Sequence, residues 1–194
     1  HPVVALLGPR QCGKTTLAHM LANASTDIPV TLFDLENPVD RQRLAIPMQT
    51  LSRLAGLIII DEFQRAPELL EILRVIVDQP GQSARFLILG SASPAMIRGS
   101  SETLAGRVGF VDLSGFSIHE VPGGQRERLW IRGGFPRSYL APDDTSGAEW
   151  RNAFIRTFLE RDIPQLGIRI PAETLRRFWT MIAHYHAQIW NGSE

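Results

Sequence analysis

Short, mainly apolar runs alternate with helical patterns over the first two thirds of the chain. The runs lie at residues 3–7, 30–34, 57–61, 86–89 and 108–113, and each predicts a strand. Residues 14–23 and 68–78, which lie between these runs, carry apolar side chains at helical spacing. Such alternation is typical of a parallel sheet with helices on both faces.

The last third of the chain has only helical patterns. One apolar stripe contains Trp150, Phe154, Ile155, Phe158 and Leu159, and a second contains Leu175, Phe178, Trp179, Ile182, Tyr185 and Ile189. Residues 122–136, which precede both stripes, are rich in glycine and proline and predict a seam. We therefore expect an α/β domain over residues 1–121 and the mainly helical start of a second domain over 122–194.

Composition excludes several classes of protein. Lys and Arg together number 20, as do Asp and Glu, so the chain lacks the basic excess of a protein that binds nucleic acid over its whole surface. Cys12 is the one cysteine, which rules out an internal disulfide and favours a reducing cytoplasmic setting. No apolar run approaches the roughly 20 residues of a membrane span. Because the chain starts at His1 without an initiating Met, we interpret it as part of a longer protein.

A phosphate-binding loop follows the first predicted strand. Residues 8–15 read GPRQCGKT, which matches the pattern G-x-x-x-x-G-K-[ST] and leads into a predicted helix. Backbone N–H groups of such a loop converge on phosphates, and the helix N-terminus adds roughly half a positive charge. The candidate nucleotide-binding residues are Gly8, Pro9, Arg10, Gln11, Cys12, Gly13, Lys14, Thr15 and Thr16.

Four members of this set carry specific expectations. Lys14 would contact the β- and γ-phosphates, and the Thr15 hydroxyl would ligate Mg²⁺. Thr16 is more plausibly a helix residue beside the phosphates than a ligand. Cys12 has two interpretations, a thiol activated by the positive field or a filler of the loop interior.

An acidic pair ends the third predicted strand. Asp61 follows four consecutive aliphatic residues, so a rigid strand would deliver its carboxylate to the sheet edge where the first strand also ends. We expect Asp61 to hold Mg²⁺, mainly through water. Glu62 would act as the general base that activates water for attack on the γ-phosphate. The alternative is that Glu62 only begins a loop or caps the next helix.

Three further residues are candidates with open alternatives. Ser91 and Ser93 follow the fourth predicted strand, where a hydroxyl would sense the γ-phosphate, although turn and N-cap chemistry explains them equally well. Arg107 precedes the fifth strand and is a candidate arginine-finger-like group or, alternatively, a partner in a simple salt bridge.

ATP is the expected nucleotide. No Asn-Lys-x-Asp guanine signature follows the later strands, and the metal strand continues as Asp61-Glu62-Phe63-Gln64 rather than Asp-x-x-Gly. The Asp-Glu pair also suits activation of water better than transfer of a phosphoryl group to a small alcohol. The expected cofactors are therefore ATP and Mg²⁺.

Five ordered segments together resemble one family. They read GPRQCGKTTLA, TLFDLE, LIIIDEFQRAPELLEILRVIVD, FLILGSASP and SETLAGRV, and with LWIRGGFPRSYLA and FIRTFLERDIPQLG they cover nearly the whole chain. The chain resembles prokaryotic AAA-like P-loop ATPases that carry a C-terminal domain of unknown function. The resemblance implies a sheet of the additional-strand, catalytic-glutamate type, nucleotide and magnesium binding by Lys14 and Thr15, and a sensor role for Ser91 or Ser93.

The same resemblance implies a winged-helix module after the ATPase core, with residues 191–194 at its beginning. Two functions fit this interpretation. One is a Mg-dependent ATPase in which Glu62 activates water and hydrolysis drives a conformational cycle. The other is a slow ATP-dependent switch that holds or releases a protein or DNA partner through the C-terminal region.

Overall fold

The computed structural model describes residues 1–91, 102–165 and 167–187. Its five strands are β1 (Val3–Leu7), β2 (Val30–Asp34), β3 (Leu57–Asp61), β4 (Arg85–Gly90) and β5 (Val108–Asp112). They form one parallel sheet. All five predicted strands are confirmed, and three of them have the predicted bounds. The central strands β1, β3 and β4 are buried along most of their length, which requires nearly continuous apolar runs, whereas the edge strand β5 is more exposed.

The order of the strands in the sheet is β2-β3-β4-β1-β5. β4 is therefore inserted between β1, which leads into the phosphate loop, and β3, which ends in the acidic pair. Leu7 of β1 lies opposite Gly90 of β4, and Ile60 of β3 lies opposite Ile88. This inserted strand confirms a sheet of the additional-strand, catalytic-glutamate type. The carboxyl ends of β1, β4 and β3 lie at the same edge of the sheet.

Helices of the first unit follow the strands. They are α1 (Lys14–Ala24), α2 (Pro38–Arg43), α3 (Pro47–Leu51), α4 (Leu69–Val77), α5 (Arg126–Arg132) and α6 (Pro136–Tyr139), with a 3-10 turn at Phe63–Arg65. α1 and α4 confirm the predicted helices to within one residue at each end. α2 and α3 are too short to produce a clear helical period in the sequence.

Two apolar clusters sandwich the sheet. Alternate residues of β3 belong to opposite clusters: Ile58 and Ile60 lie in one with Leu73 of α4, while Ile59 lies in the other with Ala18 of α1. This alternation follows from the two-residue period of a pleated strand. Both faces of the sheet are covered by helices, as predicted.

The chain divides into two compact units, residues 1–140 and 141–194. Residues 122–140, which we assigned to the second domain, belong by their contacts to the first unit. The cause is a close approach of two backbone segments, because a Cβ on Gly115 would overlap the backbone of Gly134 and a Cβ on Gly134 would overlap that of Phe116. The Phe116 amide donates to the Gly134 carbonyl at 2.6 Å, which ties the segment to the end of the sheet.

The second unit is helical in its described part. It contains α7 (Asp144–Thr157), a π-helical turn (Phe158–Asp162), α8 (Ile163–Gln165) and α9 (Ala172–His184). Trp150, Phe154, Phe158 and Trp179 form a continuous aromatic stack with ring centroids 5.1, 5.9 and 5.7 Å apart. Contrary to the predicted stripe, α9 ends at His184, and Tyr185 lies in a turn. Ile189 and residues 191–194 lie outside the described residues.

Candidate nucleotide site

The phosphate loop joins β1 to α1 at the carboxyl edge of the sheet. Gly13 precedes α1 with a φ of 105°, and Gln11 also has a positive φ, of 63°. Glycine adopts such a backbone without strain, whereas Gln11 accepts it at a cost. The loop therefore curls ahead of α1, whose first N–H groups have no intrahelical partners and can bind an anion.

Gly8 is required by a close approach of another segment. The Leu113 amide donates to the Leu7 carbonyl at 2.7 Å, which extends the pairing of β1 with β5. A Cβ on Gly8 would overlap the Leu113 carbonyl oxygen. The first glycine of the loop thus fixes where the loop leaves the sheet.

Lys14 is almost fully buried inside the loop. Its Nζ donates to the carbonyl oxygens of Gly8 at 2.9 Å and Pro9 at 2.7 Å, and the Cys12 sulfur lies 3.9 Å away. A phosphate would compete well for this ammonium group, because charge-assisted hydrogen bonds are stronger than those to neutral carbonyls. Lys14 is therefore placed to bind an anion in the loop.

Thr15 and Asp61 meet across the site. The Thr15 hydroxyl donates to Asp61 Oδ2 at 2.6 Å, although the two residues lie 46 positions apart. Asp61 is 6% exposed, so its carboxylate is held at the end of β3 rather than in solvent. The structure thus brings together the two residues that the sequence nominates for the metal.

Glu62 follows Asp61 in a left-handed backbone conformation, with φ 53° and ψ 40°. Its N–H donates to Asp61 Oδ1 at 2.7 Å, and its carbonyl accepts from the Arg65 N–H at 2.9 Å. Such a conformation is sparsely populated for residues other than glycine and persists where neighbouring contacts hold it. The side chain is half-buried beside the metal-binding candidates.

Burial raises the pKa of the Glu62 carboxyl above its usual range, and the charge of Asp61 adds to this effect. Glu36, beyond β2, also raises this pKa, whereas Arg10 of the loop and the hydrogen bond from Gln64 lower it. A carboxylate whose ionised form is disfavoured is a stronger base for a proton on a nearby water. The electrostatics therefore suit the predicted general base.

The remaining loop residues and Ser91 occupy the same edge. Ser91 is half-buried directly after β4, between the ends of β1 and β3. Ser93 lies outside the described residues. Cys12 is buried in the loop, which fits the filler interpretation, and Thr16 is exposed on α1.

Arg107 does not join this site within one chain. Its carbonyl accepts from the Val3 N–H, at the start of β1, so it lies at the amino edge of the sheet. Five residues of strand, roughly 15 Å, separate that edge from the loop. There the guanidinium forms two hydrogen bonds with Asp78, at 2.7 and 2.8 Å. The salt-bridge alternative is the one observed.

The sequence interpretation missed two neighbours of the site. Gln64 donates a hydrogen bond from Nε2 to Glu62 Oε2. Pro136 lies near the loop, since a Cβ on Gly13 would come 3.7 Å from its ring. Gln64 could have been found from its place two residues after the acidic pair, but no local signal connects Pro136 with a loop more than 120 residues earlier.

The residues fit Mg²⁺ and a nucleoside triphosphate. Mg²⁺ prefers oxygen ligands and is usually held by one or two protein groups together with substrate phosphates. A hydroxyl and a carboxylate, those of Thr15 and Asp61, provide such a partial set. Within the described ranges, no group of three or more His, Cys, Asp and Glu side chains is placed to hold a metal alone. This arrangement suits a metal that arrives with phosphates.

Taken together, the inserted strand, the phosphate loop and the acidic pair define a P-loop NTPase fold. Comparison with protein families agrees: residues 1–122 match the model of an AAA domain, and residues 124–194 match a domain of unknown function. The chain belongs to this AAA-domain family, whose members share a nucleotide-binding ATPase fold.

Similar proteins occur in mycobacteria. Uncharacterised proteins of Mycobacterium tuberculosis and Mycobacterium bovis are each 55% identical to this chain over 193 residues. The match covers 100% of this chain and 43% of each relative, so the chain spans less than half of their length. It thus corresponds to one part of these longer proteins.

Among solved structures, a chain in the structure of Drosophila ORC bound to DNA is similar at 15% identity and a TM-score of 0.47. The match covers 85% of this chain and 53% of that chain. At this level the similarity says nothing about DNA binding here. No helix in the described part of the chain is long and apolar enough to cross a membrane.

Proposed function

We propose that this chain binds Mg-ATP at the phosphate loop and hydrolyses it. The observation that carries the proposal is the 2.6 Å contact between the Thr15 hydroxyl and Asp61, with Glu62 directly adjacent. A phosphate loop, a metal-binding pair and a base with a raised pKa are thereby gathered at one sheet edge. Each has the chemistry that hydrolysis of a triphosphate requires.

The residues divide the work as follows. Lys14 exchanges its carbonyl partners for phosphate oxygens, and the amides at the start of α1 bind the remaining charge. Thr15 and Asp61 hold Mg²⁺, which when bound neutralises developing charge on the phosphates. Glu62 accepts the proton of the attacking water, and Ser91 orients the γ-phosphate from the end of β4.

Hydrolysis is tested by steady-state phosphate release with Mg-ATP. Glu62→Gln keeps the size of the side chain but removes the base, so kcat should fall by about 100-fold or more. ATP affinity should remain near that of the wild type. Equal turnover in the wild type and in Glu62→Gln would show that Glu62 is not the general base. Absence of ATP binding in both of these proteins would contradict the proposed nucleotide site.

We further propose that turnover is coupled to a partner through residues 122–194, and that the partner is a protein rather than DNA. In support, α9 exposes the apolar side chains of Phe178, Trp179 and Ile182, while the chain as a whole is neutral. Duplex DNA added to the ATPase assay is the direct comparison. Stimulation of turnover by DNA at physiological salt would replace the protein partner with DNA.

A further inference from the structure

Gln64 lies in the 3-10 turn that follows Glu62, and its side chain turns back toward the acidic pair. Its Nε2 donates to Glu62 Oε2. Because an ionised carboxylate can only accept hydrogen bonds, the nitrogen of the amide must face Glu62 and the oxygen must face elsewhere. The orientation of the Gln64 amide is therefore fixed by the carboxylate.

The other end of the same amide is unsatisfied. Gln64 Oε1 is buried and has no hydrogen-bond partner among the described residues. Buried acceptors nearly always have a partner, so this oxygen calls for a donor that is bound during function. The two polar atoms of an amide are roughly 2.2 Å apart, which keeps this acceptor beside the Glu62 carboxylate.

Charged side chains surround Glu62, the partner of the Gln64 amide. Asp61 at the end of β3 and Glu36 beyond β2 face Glu62 with negative charge, and Arg10 faces it from the phosphate loop. Glu36 is itself paired with Arg65 at 2.6 Å, in the same turn as Gln64. A water molecule has two protons, and Glu62 and Gln64 Oε1 offer two adjacent acceptors.

We infer that Gln64 is a positioning residue: its Nε2 holds the Glu62 carboxylate, and its Oε1 accepts the second hydrogen bond of the water that Glu62 deprotonates. This inference rests on the proposed hydrolysis. The water oxygen forms a bond to the γ-phosphorus as the bond to ADP breaks, and one proton passes to Glu62. Gln64 keeps its protons throughout.

Two substitutions remove the donor of the amide, one with the acceptor and one without it. Gln64→Leu removes donor and acceptor at similar size, and Gln64→Glu keeps acceptors but loses the donor and repels Glu62. Both should lower kcat by about 10- to 100-fold, because a misplaced reacting group costs rate, with KM within about threefold of the wild type. The matched control is Gln79→Leu, the same change at an exposed glutamine after α4. Its kcat should stay within about twofold of the wild type.

A double-mutant cycle tests whether Gln64 acts through Glu62. In a Glu62→Gln background, Gln64→Leu should cause no further loss of kcat, because residues that act as a unit are not additive. A full additional loss in that background would overturn the inference. So would wild-type kcat in the folded Gln64→Leu and Gln64→Glu proteins.

A binding measurement gives a readout other than turnover. ADP with Mg²⁺ and aluminium fluoride mimics the state in which water attacks, whereas a nonhydrolysable ATP analogue mimics the ground state. Gln64→Leu should weaken the first complex by about 10-fold or more and leave the second unchanged. Equal weakening of the two complexes would show that Gln64 has only a structural role. If wild-type protein binds neither ligand, the proposed function itself fails, whereas wild-type behaviour of Gln64→Leu alone overturns only this inference.

Discussion

The two edges of the central sheet carry similar charged side chains and use them differently. At the carboxyl edge, Lys14 and Asp61 are buried and bonded to loop carbonyls and a hydroxyl rather than to each other. At the amino edge, Arg107 and Asp78 form a bidentate ion pair near the surface. Burial of charged groups that are not paired with each other costs folding free energy. A ligand that pairs with these groups therefore stabilises such a site.

The largest expected effect at the carboxyl edge comes from Lys14→Ala. Removal of the buried ammonium group should weaken ATP binding by about 100-fold, since a hydrogen bond to a charged group contributes about 1.5–3 kcal/mol. Titration with a fluorescent ATP analogue measures this. Undiminished affinity in a folded Lys14→Ala protein would show that the triphosphate binds elsewhere.

Gly8→Ala should have the next largest effect, and it acts through packing rather than charge. Its Cβ would overlap the Leu113 carbonyl, so the end of β5 must shift, and the free energy of unfolding should fall by about 1–3 kcal/mol. Gly123→Ala is the matched control, because a Cβ there meets nothing within 4 Å. Urea unfolding of both variants makes the comparison, and equal stability would mean that the loop tolerates a side chain at Gly8.

A smaller effect is expected from Glu62→Gln on the stability of the ligand-free protein. Because its folded pKa lies above the unfolded value near 4.5, ionised Glu62 destabilises the fold at neutral pH. Glu62→Gln should therefore have a higher melting temperature than the wild type at pH 7. The difference should shrink as pH falls from the folded pKa toward 4.5, where both states bind the proton. A constant difference over that range would contradict the shift.

The smallest effect is expected at the amino edge. Arg107→Ala and Asp78→Asn each break the same exposed pair, so ATP affinity and turnover should stay within about twofold of the wild type. A loss of about tenfold or more in turnover for Arg107→Ala alone would instead assign Arg107 to the site of a neighbouring copy.

Much of the fold could be predicted because its signals are local. Continuous apolar runs predict strands such as Leu57–Asp61, and the loop pattern places Lys14 and Thr15 at the start of a helix. Residues 122–136 resemble a linker in their glycine and proline content, but by their contacts they belong to the first unit. Their position depends on the approach of Gly134 to Gly115, which no local pattern encodes.

The site residues also differ in whether a local signal in the sequence predicts them. Asp61 and Glu62 could be predicted because a strand delivers them to a known edge. The ion pair of Arg107 with Asp78 could not be predicted, because it depends on where the end of α4 lies relative to β5. The hydrogen bond of Gln64 also depends on a left-handed backbone at Glu62, which the residue type itself disfavours.

The strand order also has a consequence for biosynthesis. β1 is synthesised before the other four strands, yet its two neighbours are Arg85–Gly90 and Val108–Asp112. β1 has no strand to pair with until β4 is synthesised, and it lacks its second neighbour until β5 follows, so the loop that it carries cannot reach its final curvature before then. Pairings of such long sequence separation fold slowly and leave strand edges exposed in the interim. A nascent chain that stalls before β5 would therefore be prone to aggregation.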